Sequence, residues 1–457
     1  MNGVQGRGSA HRRDVAVIGT GIAGMSAAWL LAKSRSVTVY EAAHRIGGHS
    51  NTVEVMRDGQ RFGVDTCFIV FNAPTYPNLV ALFQHLGVAT EASNMTFAVS
   101  LDGGAFEYAG GTFAGLVAQP ANLVRKRFWS MLRQVLRFYA KAPRDLADMG
   151  DISLDDYLDR EGFGASFRSD HLYPMAAAIW STPAADVGDY PAAAFVRFCE
   201  NHGLLKVTGR PIWRTVMGGS RAYVEKLTEP YRDRILTGTA VTEVRRMADG
   251  VYVRDASGGE RRFDDVVIAT HADQALAMLA DPSEDERRLL GAFRYARNDA
   301  VLHTDISLMP KRRAAWSSWN YLSEGGSDDR RLSVTYWMNS LQRLATKTPV
   351  LVTLNPLRDP RPESVLRAET YHHPMFDLAA MQAQRQLWSL QGVRGTWYCG
   401  AHFGAGFHED GLQSGLAVAE DLAGLRRPWT VENESGRIYH NAHAPSAGAS
   451  RRTEAAA

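Results

Sequence analysis

A short apolar strand running directly into a G-x-G-x-x-G turn constrains this chain more than any other feature. The segment reads Asp14-Val15-Ala16-Val17-Ile18-Gly19-Thr20-Gly21-Ile22-Ala23-Gly24. Gly19 permits the tight turn out of the strand, and Gly21 lets the backbone come close to a pyrophosphate. Gly24 lets the following helix pack on the sheet while its first amides, around Ile22 and Ala23, point at the phosphates. Residues Met25 to Ala32 continue that helix, and Val37-Thr38-Val39-Tyr40 supplies a second strand. Glu41 follows about twenty residues past the glycines, where an acidic side chain accepts hydrogen bonds from an adenosine ribose. This order of elements predicts a parallel βαβ unit that binds a dinucleotide.

Which dinucleotide is decided further on. Glu41-Ala42-Ala43-His44-Arg45-Ile46-Gly47-Gly48-His49 resembles the E-x-x-x-R-x-G-G-R segment of the flavin amine oxidase and phytoene desaturase superfamily, with His49 standing for the usual arginine. Gly63-Val64-Asp65-Thr66-Cys67-Phe68-Ile69-Val70-Phe71-Asn72 resembles the strand that passes the flavin ring there, with Cys67 where glycine is usual. Met217-Gly218-Gly219-Ser220, Ala240-Val241-Thr242-Glu243-Val244 and Phe263 to His271 resemble later returns of the chain to the cofactor domain. The C-terminal segments Trp397-Tyr398-Cys399-Gly400-Ala401-His402 and Gly411-Leu412-Gln413-Ser414-Gly415 resemble its closing motif.

The resemblance implies non-covalent FAD held by Gly19, Gly21, Ile22, Ala23, Gly24, Glu41, Ala42, Gly47, Gly48, His49, Cys67 and Phe68. It adds Val241 at the adenine, then Gly400, Ala401, Gly411 and Leu412. In that motif a helix opening at Gly411 turns its positive end toward the flavin. Ala401 replaces the usual acid, so Glu409 or Asp410 is expected to meet the ribityl hydroxyls. His408 and Glu409, between strand end and helix start, are the catalytic candidates, with His408 a general base.

The fold class expected is α/β: a Rossmann-type FAD-binding domain of the amine oxidase/glutathione reductase-like kind, with an interleaved α+β substrate domain. At 457 residues the chain is long enough for two lobes. Residues 14–72, 213–275 and 390–427 are assigned to the FAD lobe, and 73–212 and 276–389 to the substrate lobe. The first insertion reads as mostly helical and the second as strand-rich. Small polar residues at 1–13 and 443–457 predict disordered ends. The net charge of +2 carries no nucleic-acid signature, and three cysteines, Cys67, Cys199 and Cys399, have no disulfide or metal spacing. No metal is expected, since His372, His373, His402 and His408 lack the spacing of a known site. Arg12-Arg13 precedes an apolar run, but the glycine spacing assigns that run to the fold, so a cytoplasmic protein is expected. No second G-x-G-x-x-G follows a strand, so the substrate itself is the expected electron donor.

The substrate is addressed by two features. Asn122 to Lys141 reads as a basic amphipathic helix. Lys126, Ser130, Arg133, Arg137 and Lys141 lie on one side; Val124, Phe128, Met131, Val135 and Tyr139, flanked by Leu132 and Leu136, lie on the other. Such a helix suits either an anionic membrane surface or a lobe interior. Tyr173-Pro174, Trp180-Ser181-Thr182-Pro183, His202, Arg210, Trp213, Tyr336 and Tyr371-His372-His373-Pro374 are candidates for a pocket wall. Second, the strings around Val64 to Asn78 and Gly404 to Gly411 resemble a bacterial group of NAD/FAD-binding proteins associated with cyclopropane-fatty-acid-synthase-like methyltransferases. That resemblance implies an oxidoreductase taking hydride from a fatty-acyl or phospholipid chain, peripheral at the inner face of the membrane, with a lipid methyltransferase as partner. The alternatives are a soluble flavin amine oxidase and a non-catalytic FAD-bound accessory subunit.

Overall fold

The computed structural model describes residues 12–180, 187–324 and 331–440. The ends expected to be disordered, 1–13 and 443–457, lie outside the described residues apart from Arg12 and Arg13, as do Ser181, Thr182 and Pro183.

Runs of apolar, largely β-branched residues build a five-stranded parallel sheet at the centre of the first lobe. Its order is Ile235–Leu236, Ser36–Tyr40, Asp14–Ile18, Asp265–Ile268, Thr396–Tyr398. Val15, Val17, Val39, Val266 and Val267 are buried, as expected of strands covered on both faces. The helix Ile22–Leu31 connects the first two strands, and every one of its ten residues is buried. A helix apolar all round needs cover on all sides. The sheet supplies one side, and the helix His408–Ala423 packs so closely on another that a Cβ added at Gly415 would sit 2.2 Å from the Ala23 carbonyl oxygen. That C-terminal helix opens at His408, three residues before the expected Gly411, and ends at Gly424 in the left-handed region (φ 64°). An antiparallel three-stranded sheet, Val241–Met247, Gly250–Asp255 and Glu260–Phe263, sits beside the parallel sheet.

The second lobe is built on a seven-stranded sheet. Its order is Val365–Met375, Arg294–His303, Leu351–Leu354, Arg331–Trp337, Trp319–Glu324, Phe97–Leu101, Phe106–Ala109. All its pairs are antiparallel except Trp319–Glu324 with Phe97–Leu101. The insertion read as helical therefore contributes two strands as well, Phe97–Leu101 and Phe106–Ala109. Its helices enclose a separate aromatic core around Phe138, Tyr157, Phe163, Phe167 and Phe195. A small sheet of Phe71–Asn72, Trp213–Val216 and Thr90–Ala92 joins the lobes.

The basic amphipathic segment forms a helix over Lys126–Asp145, preceded by a 3-10 turn at Pro120–Val124. Phe128, Met131, Val135 and Phe138 are buried in the aromatic core. The apolar face is thus turned into the lobe, which removes the sequence argument for this helix lying on a membrane. Val124, expected on that face, is exposed, as is Leu136. No helix among the described residues is long and apolar enough to cross a membrane.

Candidate cofactor and substrate site

A cavity of about 940 Å3 runs from the glycine turn of the first lobe into the second. That is the upper end of the roughly 300–1,000 Å3 typical of ligand pockets. At one end the strand Asp14–Ile18 delivers Gly19, whose φ of +103° and an added Cβ 2.8 Å from the Ala269 carbonyl exclude any other residue. Gly21 differs. Its φ of −63° is ordinary, and an added Cβ would meet nothing within 4 Å. The space beside it belongs to the cavity, at the amide end of the helix Ile22–Leu31. Ile22, Ala23, Glu41, Ala42, Gly48 and Val241 line the same end. Glu41 accepts from the Thr20 amide at 2.9 Å and the Ala43 amide at 2.8 Å, and from the Thr20 hydroxyl. Two carboxylate oxygens offer about four acceptor positions, so capacity remains for a ribose hydroxyl.

Midway, His49, Cys67, Phe68, Gly400, Ala401 and His408 line the cavity. Two imidazole nitrogens there, His49 Nε2 and His402 Nε2, are buried without a hydrogen-bond partner among the described residues. Orphaned polar atoms of this kind are uncommon in folded proteins and are met by a polar ligand. Together with the open amide end at Gly21, they fit the residues present to an extended dinucleotide with a flavin at its far end. Burial, with the positive Arg45 and neighbouring His271 adding to it, lowers His49 to about 4. Burial likewise takes His402 and His373 to about 3. These imidazoles are neutral at neutral pH, so His49 cannot supply the permanent charge of the arginine it replaces.

The remaining expected residues do not reach the cavity. Gly24 and Gly47 pack behind it: an added Cβ at Gly24 would lie 2.0 Å from the Gly19 carbonyl, and one at Gly47 2.7 Å from that of Ser50. Gly411 lies against Ile22, and Leu412 is fully buried. Glu409 was expected at the flavin but caps another helix. Its carboxylate accepts from the Asn78 and Leu79 amides at 3.0 Å each and from the Asn78 and Gln413 side chains. Asp410 pairs with Arg437, 2.6 Å away, and accepts from the Phe407 amide. Neither acid lines the cavity where ribityl hydroxyls would lie, and Glu409 is withdrawn as a catalytic group.

His408 stays at the cavity wall, its ring stacked on Phe68 at 3.7 Å. Nε2 is engaged by Ser50 Oγ at 2.9 Å and Tyr223 Oη at 3.1 Å. Burial lowers its pKa to about 3. A ring so held is an oriented wall, and its weak basicity argues against proton abstraction at Nε2. Sequence reasoning missed the clustering of His49, His373 and Cys67, whose ligand-type atoms lie within 4.8 Å of one another. No spacing announces it, because the residues come from three distant segments.

Beyond His408 the walls become aromatic. Phe407 stacks on Phe198 at 4.9 Å, Phe198 on His202 at 3.9 Å, and His202 faces Trp213 at 6.4 Å. Of the expected pocket candidates, His202, Arg210, Trp213, Tyr336, Tyr371, His372, His373 and Pro374 line the cavity, whereas Tyr173 and Pro174 do not. Tyr108 and Tyr139, which sequence reasoning had not assigned to the pocket, line it with His171 between them.

A model of the flavin containing amine oxidoreductase family matches residues 22–317. No curated protein matches the chain significantly. Among solved structures, putrescine oxidase bound to putrescine superposes with a TM-score of 0.64 at 15% identity, covering 90% of this chain and 99% of that one. Cyclohexylamine oxidase from Brevibacterium oxydans IH-35A gives 0.61 at 16%, covering 90% and 99%. A CLA-producing fatty acid isomerase from P. acnes gives 0.60 at 16%, covering 90% and 98%.

Proposed function

Because this chain belongs to the flavin containing amine oxidoreductase family, its FAD-dependent oxidoreductase chemistry is the premise from which we propose the substrate: a long acyl chain, fatty-acyl or phospholipid, oxidised or desaturated at a carbon of the chain. The observation that carries this reading is the charge of the cavity wall. Among the described residues that line it, only Glu41, Arg45 and Arg210 are formally charged side chains, and the first two belong to the dinucleotide end. Among the described residues no carboxylate lines the substrate half to receive an ammonium group. Burial holds His202 at about 3, and burial with the nearby Arg210 holds His171 at about 4, so both are uncharged at neutral pH. Phe198, Phe407, Met175 and Trp213 supply an apolar channel, which favours burying methylenes at about 0.8 kcal/mol each.

When bound, the flavin supplies a two-electron acceptor for hydride. The chain's own residues do the rest. Phe198 and Phe407 orient the apolar substrate, His408 fixed on Ser50 and Tyr223 shapes the wall beside Phe68, and the enclosed aromatic surface excludes water. A fatty acid isomerase among the structural neighbours supports the acyl reading. The two amine oxidases favour the second reading, a soluble amine oxidase. Our reading also includes a lipid-modifying methyltransferase as partner and peripheral contact with the inner face of the membrane, both resting on the acyl substrate and not on the helix Lys126–Asp145, whose apolar face is buried in the lobe.

Anaerobic titration of the purified holoenzyme tests the proposal. Oleate or a monounsaturated phospholipid should bleach the flavin absorbance, and putrescine or cyclohexylamine should not. Bleaching by an amine and not by lipid would replace the acyl reading with the amine oxidase. Reduction by neither would leave the non-catalytic accessory subunit.

A further inference from the structure

We propose that Arg210, with the Tyr139 hydroxyl, forms a subsite for the oxyanion head of the acyl substrate, so that the chain enters tail first toward the flavin. The inference rests on the acyl reading above and adds where the head is held.

Arg210 lies at the end of a loop that lines the cavity through Gly203, Leu204, Arg210 and Pro211, yet Arg210 itself is exposed. It therefore stands where the cavity meets solvent. Its Nε donates to the Lys206 carbonyl at 2.6 Å, which fixes the guanidinium plane. No carboxylate pairs with it among the described residues, although the other two charged residues of the cavity wall are the distant Glu41 and Arg45. Both terminal nitrogens are left for a ligand, and a guanidinium edge matches a carboxylate or phosphate in a bidentate fashion.

The positive charge of Arg210 acts on two neighbours within the cavity, Tyr139 and His171. Their hydrogen bonds make Tyr139 a donor that can be redirected. The Tyr108 hydroxyl donates to the Asp170 carbonyl at 2.9 Å. His171 Nδ1–H then donates to the Tyr108 oxygen at 2.9 Å, leaving Nε2 as the acceptor of the Tyr139 hydroxyl at 3.2 Å. That last bond is long for a hydroxyl donor, and an oxyanion beside Arg210 offers Tyr139 a stronger, charge-assisted acceptor. The same wall carries Met175, Leu204 and Phe198, the last stacked on Phe407, whose neighbour His408 stacks on Phe68. An acyl chain laid along this wall has its head at the mouth and its tail at the flavin end.

Calorimetric titration of the holoenzyme with four twelve-carbon probes tests the subsite: laurate, dodecyl phosphate, dodecanol and dodecylamine. Laurate should bind at least tenfold more tightly than dodecanol. Arg210→Ala should abolish that preference while leaving dodecanol affinity unchanged, and Arg210→Lys should keep part of it. Tyr139→Phe should weaken laurate severalfold without affecting dodecanol. Tighter binding of dodecyl phosphate than laurate would identify a phosphate head as the ligand of the same subsite. Equal binding of laurate and dodecanol, or an Arg210→Ala enzyme that still prefers laurate, overturns the subsite and leaves the acyl channel standing. Binding of none of the four, or of dodecylamine alone, overturns the acyl reading and the subsite with it.

Discussion

Gly21 and Glu41 both line the dinucleotide end of the cavity, and substitution separates the roles expected of them. Gly21 has an unstrained φ and open space at its Cβ position, so Gly21→Val should fold with an unchanged far-ultraviolet circular dichroism spectrum. It should nevertheless purify without flavin, because the branched side chain occupies the space a pyrophosphate needs. A Gly21→Val protein that purifies yellow would remove the phosphate site from this turn. Glu41→Ala should weaken FAD binding by about 1.5–3 kcal/mol, the worth of a hydrogen bond to a charged group. Cys67 shows how burial constrains cofactor attachment. Its thiol is pushed up to about 12 by burial, so the nucleophilic thiolate is scarce at neutral pH. Cys199 and Cys399 are buried, and burial raises both. Acid precipitation should therefore release intact FAD to the supernatant; colour retained in the pellet would mean a covalent link.

Adjacent residues on a helix project about 100° apart, and that angle divides His408 from Glu409. One lines the cavity; the other turns away and holds the Asn78 and Leu79 amides at the start of the helix Pro77–His85. Glu409→Ala leaves those buried donors unmet and should cost about 1.5–3 kcal/mol of stability. The flavin absorption of the folded variant should be unchanged; an altered flavin spectrum would return Glu409 to the site. The strand–turn–helix at Asp14 to Leu31 was legible because its glycines have one steric purpose each. The helix Lys126–Asp145 was legible as an element, but its destination was not. A basic amphipathic face is the same in sequence whether it meets lipid or protein. The decision lay with Tyr157, Phe163, Phe167 and Phe195, which close over Phe138 from later in the chain. Phe138→Ala should accordingly cost about 3–5 kcal/mol in chemical denaturation. A loss below about 1 kcal/mol would contradict its place in the core. The subsite around Arg210 was invisible for a similar reason, since Tyr139 and His171 come from separate helical segments and Arg210 from a later loop.

The whole molecule encloses an unusual number of neutral histidines around one cavity, and this couples its stability to pH. Burial lowers His49, His171 and His271 to about 4 and His202, His373, His402 and His408 to about 3. In the unfolded chain each would titrate near 6.5. Between these values the unfolded state binds more protons, so their contribution is fully present above about pH 6.5 and is lost as pH falls toward 4. Buried acids oppose the trend. Asp65, raised to about 6 by burial despite hydrogen bonds from Thr52, Ser220 and Gln342, favours the folded state as pH falls through 6. Asp410 is also raised by burial and acts in the same direction. The histidines outnumber these acids within the window, so the net slope should be that of more than one proton taken up on unfolding. The thermal midpoint of the holoenzyme should be highest near pH 7–8 and fall by more than about 2 °C by pH 5, since an unfolding entropy of about 2.1 cal/mol/K per residue makes 1 kcal/mol worth roughly 1 °C in a chain of 457 residues. A midpoint that is flat or rises between pH 7.5 and 5 would mean that the cavity histidines are hydrated and carry their charge in the folded state. That outcome would also remove the neutral-wall argument for an acyl substrate, because protonated imidazoles would then line the channel.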